Sequence, residues 1–203
     1  MICSYKIFTL MKMEEIIKLR KLYGLKKVYR ANSVENRKES SAEHSWSCLI
    51  LADYFLNITD IKLDRLKVYE LLMYHDVIEI EAGDTPLHKE EERKNQREKE
   101  LKALNKLKHE IPRELKTKFV NLVNEFEENK TKEAKFAQAI DKLDAQIHEL
   151  DYKKDWKGWT EEFLRAEKEI YFKEFPKIKQ AFEKITDYAR ENGYFDQRKW
   201  KFF

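Results

Sequence analysis

Residues 64–83 read DRLKVYELLMYHDVIEIEAG and place polar side chains where an apolar helical face should continue. The residues at helical spacing along this face are, in order, Val68, Leu72, His75 and Glu79, and Asp76 adjoins His75. A buried polar group without a partner costs roughly 2–7 kcal/mol. The stretch therefore predicts a helix, begun by Asp60 or Asp64 and stopped by Gly83, whose polar residues share a partner inside the fold.

Composition favours an all-α fold for the rest of the chain. The 203 residues include only four glycines and three prolines. These are too few for the turns of a sheet-rich fold, and the glycines are too scattered for a dinucleotide or P-loop motif. The length suits one large domain, which we expect to span residues 1–203 as a bundle of long helices.

Periodicity predicts the individual elements. Residues 25–40 lack a clear period and are predicted to be an irregular connection. Residues 84–88 are predicted to form a loop, and the charged residues 89–108 a solvated helix. The other predicted helices cover residues 13–23 with a stop at Gly24, a segment capped by Ser40 or Ser41, an amphipathic segment after Pro112, and residues 132–150, 160–174 and 176–191.

Two other predicted helices also carry polar residues at or beside an apolar stripe. His44 extends the line of Phe55, Leu51 and Cys48. Within residues 132–150, a line beside the apolar stripe consists of Ala137, Asp141, Asp144 and His148. Imidazoles and carboxylates that converge from three helices can share one divalent cation.

We therefore hypothesise that His44, His75, Asp76 and Asp141 bind one metal ion. His148 with Asp144 is the rival ligand pair within the last of these helices. For each residue the alternative is an ordinary core or surface position with satisfied hydrogen bonds. His88 and His109 lie in charged surroundings and are interpreted as surface residues.

Charge and hydropathy exclude several classes of function. Forty-one basic and 38 acidic residues are interleaved, giving a net charge of +3, so we expect no nucleic-acid partner. No apolar run is long enough to span a membrane, and we predict no signal peptide. Two cysteines, Cys3 and Cys48, cannot form a disulfide framework, which favours a cytoplasmic location.

Three segments together resemble one family of enzymes. ESSAEHSW (39–46), YHDVIEIEAGDTP (74–86) and AIDKLDAQ (139–146) are similar to the motifs of the HD-domain metal-dependent phosphohydrolases. The similarity is greatest to the branch of 5'-deoxynucleotidases. It covers roughly residues 25–150, so the fold it implies is an HD-domain helical bundle with additional C-terminal helices over about 151–203.

The resemblance implies roles for individual residues. Its metal ligands fall on the four residues chosen above, and Asp76 could bridge the metal and the attacking nucleophile. The implied catalytic carboxylate is Glu79 and the implied phosphate-orienting arginine is Arg30. The implied substrate loop consists of Asp84, which contacts the sugar, with Thr85 and Leu87. Ala31 stands where the bacterial enzymes have a tryptophan that helps to select deoxyribose, so strict rejection of ribonucleotides is not expected.

The implied reaction is hydrolysis of a nucleoside 5'-monophosphate to nucleoside and phosphate. The mixed nitrogen and oxygen ligands suit Mn, Co, Fe, Ni or Zn. A second ion such as Mg could lie at Glu79 and Asp84, and relatives of this type suggest a homodimer. Two alternatives remain open. One is an HD phosphohydrolase that acts on a cyclic nucleotide, a nucleoside triphosphate or an alarmone, and the other is a non-catalytic helical metal-binding module.

Overall fold

Ser40 begins the first long helix that carries a site residue. Its hydroxyl accepts a hydrogen bond from the backbone N–H of Glu43, and the Glu43 carboxylate accepts one from the backbone N–H of Ser40. Asp64 caps the next helix by accepting from the Lys67 backbone N–H at 3.1 Å. Both predicted capping positions are thus confirmed, with Ser40 and Asp64 as the residues that act.

The structure is a computed structural model and describes residues 11–85 and 95–196. In chain order the α-helices are α1 (Met13–Leu22), α2 (Ser41–Ile58), α3 (Arg65–Tyr74), α4 (Glu79–Ala82), α5 (Gln96–Glu110), α6 (Arg113–Glu128), α7 (Lys132–Glu149), α8 (Glu161–Phe172) and α9 (Pro176–Glu191). The 3-10 turns are Tyr23–Lys27 and Lys153–Trp156, and the strands are β1 (Tyr29–Val34) and β2 (Arg37–Ser40). The expected helical class is confirmed, with the addition of one small hairpin.

The hairpin corrects the prediction of an irregular connection over residues 25–40. Strands β1 and β2 pair antiparallel, with Val34 opposite Arg37 and Ser33 opposite Lys38. The sequence lacks the alternation of polar and apolar residues that predicts a strand, because two successive residues of β1, Asn32 and Ser33, are both buried and both polar. The Asn32 amide donates to Glu149, and the Ser33 hydroxyl donates to Asp155.

The helix predicted through residue 83 breaks at the functional motif. Helix α3 ends at Tyr74, and the backbone then turns more tightly, with the Val77 N–H donating to the Tyr74 carbonyl and the Glu79 N–H to the Asp76 carbonyl. The short α4 follows and ends at Gly83, whose φ of 75° confirms the predicted stop. The break buries His75 and Asp76, although they are neighbours in sequence.

Other helices differ from prediction in smaller ways. Gly24 does not stop the first helix, because the chain continues from α1 directly into a 3-10 turn that includes it. The charged helix α5 is not wholly solvated, since its Ala103, Leu104 and Leu107 are buried. Part of the segment predicted as that helix, and of the predicted loop, lies outside the described residues.

The core lies between α2, α3, α6 and α7, and the C-terminal helices α8 and α9 extend it. The largest fully buried side chains include Phe119 of α6, Phe136 of α7, Phe172 of α8 and Phe182 of α9. The helices predicted at 160–174 and 176–191 are confirmed within two residues. Across the described ranges, no helix combines the length and apolar character that a membrane crossing requires.

Candidate metal centre

His44, in the second turn of α2, is 1% exposed and is held by two carboxylates of α7. Its Nδ1 lies 2.8 Å from Asp144 Oδ2, and its Nε2 lies 3.0 Å from Asp141 Oδ1. Burial and the nearby Arg30 oppose a charged imidazole, but the hydrogen bonds with both aspartates hold the pKa of His44 well above its ordinary value. Carboxylates that favour a proton at this buried ring also favour a metal cation there.

His75 directs one ring nitrogen to the same point. Its Nδ1 lies 2.8 Å from the Leu72 carbonyl oxygen, which can only accept, so Nδ1 carries the proton and Nε2 has a free lone pair. That Nε2 is buried and makes no hydrogen bond to any residue that the structure describes. It lies 3.1 Å from Asp76 Oδ1 and 3.9 Å from Asp141 Oδ1. A lone pair left without a donor beside two carboxylates fits a divalent cation.

The four residues hypothesised as ligands therefore lie together. The remaining separation, from Asp76 Oδ2 to His44 Nε2, is 4.0 Å. Separations of 3.0–4.0 Å suit atoms that share an ion with ligand distances of about 2.0–2.2 Å. Although burial opposes ionisation of Asp141, Lys142 and the two histidines hold its pKa well below the ordinary value.

Cys48 is a geometric alternative to Asp76. Its Sγ lies 3.6 Å from His44 Nε2, and donor atoms of Cys48, His44, His75 and Asp141 all lie within 4.8 Å of one another. Burial raises the pKa of the Cys48 thiol to about 12, so it stays protonated and is a poor ligand at neutral pH. Asp76 brings a negative charge and is the better fourth ligand.

Arg30 lies on β1 beside this cluster. Its Nη1 is 3.4 Å from Asp76 Oδ2, and its Nε is 3.4 Å from Glu39 Oε2. The buried Nε makes no hydrogen bond within the described part of the chain. Burial disfavours the guanidinium charge, but the carboxylates of Asp76 and Asp141 outweigh it and raise the pKa of Arg30. A fixed cation with an unused donor thus adjoins the cluster.

Glu79, the first residue of α4, accepts a hydrogen bond from the Ser41 hydroxyl at 2.6 Å. Burial, then the like charge of Asp76, holds the pKa of Glu79 well above its ordinary value. Burial likewise raises the pKa of Asp84, and Asp76 adds to this shift. Both carboxyls are therefore weaker acids than ordinary carboxyls, which makes them better proton acceptors when they are ionised.

One large cavity is lined by Arg30, His75, Asp76, Glu79, Asp84 and Asp141. It has a volume of about 1180 Å³ and opens above the cluster. One wall consists of Arg30, Ala31 and Asn32 of β1, and another of residues from α5 and α6. The C-terminal extension supplies the third wall, with Trp159, Lys168 and Tyr171.

The remaining predicted residues are placed as follows. Ala31 is exposed, and Thr85 lines the cavity beside Asp84. Leu87 and His88 lie outside the described residues. His109 is exposed, as interpreted from the sequence. His148 lies apart from the cluster, because its Nε2 is 2.8 Å from the Ser33 carbonyl oxygen and its Nδ1 is 3.6 Å from Glu39.

Sequence reasoning missed the residues that hold the candidate ligands. Asp144 was considered as a partner of His148 but contacts His44 instead. Asp144 lies about one helical turn after Asp141, and this spacing could have identified it as a neighbour of the site. Lys142 Nζ lies 2.7 Å from Asp141 Oδ2, which leaves Oδ1 to face the histidines. An adjacent residue gives no helical-face signal, so periodicity could not identify Lys142.

Comparison with known proteins agrees with this site. A model of the HD domain matches residues 22–185 of the chain. The 5'-deoxynucleotidase HDDC2 of Xenopus laevis is 27% identical over 143 residues, which cover 68% of this chain and 70% of that protein. The human 5'-deoxynucleotidase HDDC2 is 28% identical over 141 residues, 66% of each chain.

Solved structures share the fold. A predicted metal-dependent phosphohydrolase from Magnetospirillum magnetotacticum superposes with a TM-score of 0.78 at 26% identity, covering 90% of this chain and 94% of that one. An HD-domain phosphohydrolase from Listeria innocua has a TM-score of 0.57 at 24% identity, covering 85% and 84%. The second likeness concerns the fold alone.

A buried histidine–aspartate cluster at the base of a cavity in a helical bundle is typical of metal-dependent hydrolases. The chain belongs to the HD-domain family, and its class is that of the metal-dependent phosphohydrolases.

Proposed function

We propose that the protein hydrolyses nucleoside 5'-monophosphates to nucleoside and phosphate, with a divalent ion held by His44, His75, Asp76 and Asp141. The observation that carries the proposal is the buried, unpaired Nε2 of His75, which faces two carboxylates and the second histidine. The choice of nucleoside 5'-monophosphates as the substrate class rests on the distant similarity to 5'-deoxynucleotidases. Bound here, a divalent ion would polarise a phosphoryl oxygen and lower the pKa of water.

Arg30 is proposed to bind the phosphate. Its guanidinium is fixed between Glu39 and Asp76, and its Nε has no hydrogen bond among the described residues. A planar guanidinium can donate to two phosphate oxygens at once. Because Arg30 contacts the candidate ligand Asp76, the phosphate would be held next to the metal-binding carboxylates.

Glu79 is proposed to accept the proton of the attacking water. The raised pKa brings this carboxyl closer to neutral pH, where a general base is most effective. The Ser41 hydroxyl donates to Glu79 Oε2 and so fixes its orientation. When the bond from phosphorus to the 5'-oxygen breaks, this oxygen takes up the proton that Glu79 accepted from water and leaves as the alcohol of the nucleoside, and phosphate is the second product.

The sugar is proposed to contact Asp84 and Thr85. It is also proposed to contact Leu87, which lies outside the described residues. Asp84 and Thr85 line the cavity beside Glu79. Ala31 offers only a methyl group at the same cavity, so we expect ribonucleotides and deoxyribonucleotides both to be accepted. Asp84 raises the pKa of Glu79, and Asp76 raises the pKa of both carboxyls, so a second cation such as Mg between Glu79 and Asp84 would relieve this repulsion.

A metal-by-substrate matrix tests the proposal. Chelator-stripped protein is reloaded with Mn, Co, Fe, Ni or Zn and assayed for phosphate release from monophosphates, cyclic nucleotides, triphosphates and guanosine polyphosphates. We expect release from monophosphates only, and loss of both metal and activity in His75→Ala. His109→Ala, at an exposed histidine of α5, is the matched control and should retain both.

Turnover of another nucleotide class in preference to monophosphates would replace the substrate assignment. Metal binding without any phosphatase turnover would favour a non-catalytic module. The homodimer stays a prediction, and light scattering of the full chain tests it.

A further inference from the structure

A buried ammonium lies in the wall of the cavity. Lys168 of α8 is 2% exposed, and its Nζ lies 2.7 Å from Gln146 Oε1, 3.3 Å from the Lys142 carbonyl oxygen and 5.6 Å from the ring centre of Trp159. No carboxylate of residues 11–85 and 95–196 lies within ion-pair distance of it. Buried lysines are rare unless they are paired, so this position needs a reason.

A buried carboxylate adjoins the same part of the cavity. Glu149, the last residue of α7, is 7% exposed, and its Oε1 accepts from the Asn32 amide at 3.0 Å. Within the described ranges it likewise has no cation at ion-pair distance. Burial raises the pKa of Glu149 to about 7 and lowers the pKa of Lys168 to about 8, and each group partly offsets the shift of the other. Neither residue is used by the chemistry at the metal centre.

The distance from the metal centre suits a nucleotide. Asp141, Ala145 and Glu149 line the cavity at successive turns of α7. Eight residues of α-helix span about 12 Å, which is comparable to the length of a nucleoside monophosphate from phosphate to the far edge of its base. Ala145, between the two ends, has a small side chain that leaves the middle of this path open.

The chemistry beyond the metal centre suits a neutral, polar, flat group, because the Lys168 ammonium lies against Gln146 and the Glu149 carboxylate follows about one turn further along α7. An ammonium donates only, and a carboxylate accepts when ionised, so the pair can serve a ring edge that offers both an acceptor and an N–H. The opposite charges of the pair cancel, which disfavours a second phosphate at this end. Trp159 and Tyr171 add aromatic rings to the same wall.

We propose that Lys168 and Glu149, with Trp159, form the subsite that recognises the nucleobase of the substrate. This inference rests on the proposed function, because the phosphate end is taken to lie at the metal centre. The C-terminal helices then add more than core packing, because Lys168 and Trp159 join Glu149 of α7 in base recognition, whereas the phosphate chemistry takes place at the metal centre. Lys168 and Glu149 are specificity-determining residues and take no part in bond breaking.

The experiment compares nucleotides with an abasic substrate. The four deoxynucleoside 5'-monophosphates and 2-deoxyribose 5-phosphate are assayed with the metal-loaded full chain and its Glu149→Gln and Lys168→Met variants. We expect the ratio of kcat/KM for nucleotide over abasic substrate to fall about tenfold in each variant, unequally among the four bases. Lys173→Met, at an exposed lysine after α8, is the matched control and should leave the ratio unchanged.

A binding measurement separates this inference from the proposed function. Calorimetry of metal-free protein with nucleosides needs no turnover, and we expect the affinity to fall about tenfold in Glu149→Gln. An unchanged ratio and unchanged nucleoside affinity in the nearly isosteric Glu149→Gln would overturn the subsite. Equal losses on nucleotide and abasic substrates would likewise overturn it, since they indicate a structural role. Failure of the wild type to hydrolyse any monophosphate would overturn the proposed function, while the nucleoside titration would still decide the subsite.

Discussion

Asp144 lies behind His44 as seen from the metal centre, with Oδ2 2.8 Å from Nδ1 of the imidazole. The two residues are 100 positions apart in sequence and both are buried. An ionised carboxylate at Nδ1 keeps the proton on that nitrogen, so the lone pair of Nε2 faces Asp141 and the candidate metal position. Asp144 thus determines which nitrogen of His44 is available to a metal.

We expect Asp144→Asn to weaken metal binding by about 10–100-fold. The amide can donate to Nδ1, which would move the proton of the imidazole to Nε2 and block the lone pair. Calorimetric titration of stripped protein with Mn or Zn measures the affinity. Asp151→Asn, at an exposed aspartate just after α7, is the control and should bind metal normally. Wild-type affinity in Asp144→Asn would show that His44 does not depend on this carboxylate.

Glu79→Gln should separate metal binding from turnover. The amide keeps the size of the side chain and can still contact the Ser41 hydroxyl, but it cannot accept a proton from water. We expect kcat to fall by about 10²–10⁴-fold while metal content stays at the wild-type level. Phosphate release and elemental analysis of the same preparation measure both. Full turnover in this variant would remove Glu79 from the mechanism, and lost metal would make it a ligand.

The long helices could be predicted because apolar spacing and capping act locally. Helix α9 (Pro176–Glu191) was predicted at its observed limits. The hairpin could not be predicted in this way, because the partners that satisfy its buried polar residues are far away in sequence. Asn32 contacts a residue 117 positions later, and Ser33 contacts one 122 positions later. Only the tertiary fold reveals that these polar residues are buried.

The same limit applies to the site. The four candidate ligands continue or adjoin apolar helical faces, so the periodicity of the sequence could identify them as candidates. Lys168 lies in a charged helix whose other polar residues are exposed or half-buried, and its spacing of four residues from both Leu164 and Phe172 was the available sequence signal. Its burial depends on the packing of α8 against α7 and on the ring of Trp159.

Glu149 should make stability depend on pH. Burial first of all, with Asp155 adding to it and Lys168 and His148 opposing it, raises the pKa of Glu149 to about 7 from an ordinary 4.5. Between these values the folded chain binds the proton and the unfolded chain does not, so stability is full below about pH 4.5 and falls as the pH rises towards 7. The loss is at most about 3–4 kcal/mol, at about 1.4 kcal/mol per pKa unit.

Urea unfolding of metal-free protein at pH 5 and pH 8 measures this loss. We expect the wild type to lose stability relative to Glu149→Gln between the two values, because glutamine has no proton to release. Glu191→Gln, at an exposed glutamate that ends α9, should follow the wild type at both. If the free energies of unfolding of the wild type and of Glu149→Gln change by the same amount between pH 5 and pH 8, Glu149 does not titrate in this range.

Trp156 should hold the C-terminal extension against the end of α7. It is 1% exposed, its Nε1 donates to the Glu149 carbonyl oxygen at 3.0 Å, and its ring packs edge-on against Tyr194 and Phe195. We expect Trp156→Ala to lower the free energy of unfolding by about 3–5 kcal/mol, since it leaves a large cavity and removes one of the two hydrogen bonds that the Glu149 carbonyl accepts, the other coming from the Tyr152 N–H. Trp156→Phe keeps most of the volume and should cost clearly less. Equilibrium urea unfolding checks both, and equal, small losses would show that the end of α7 is held by other contacts.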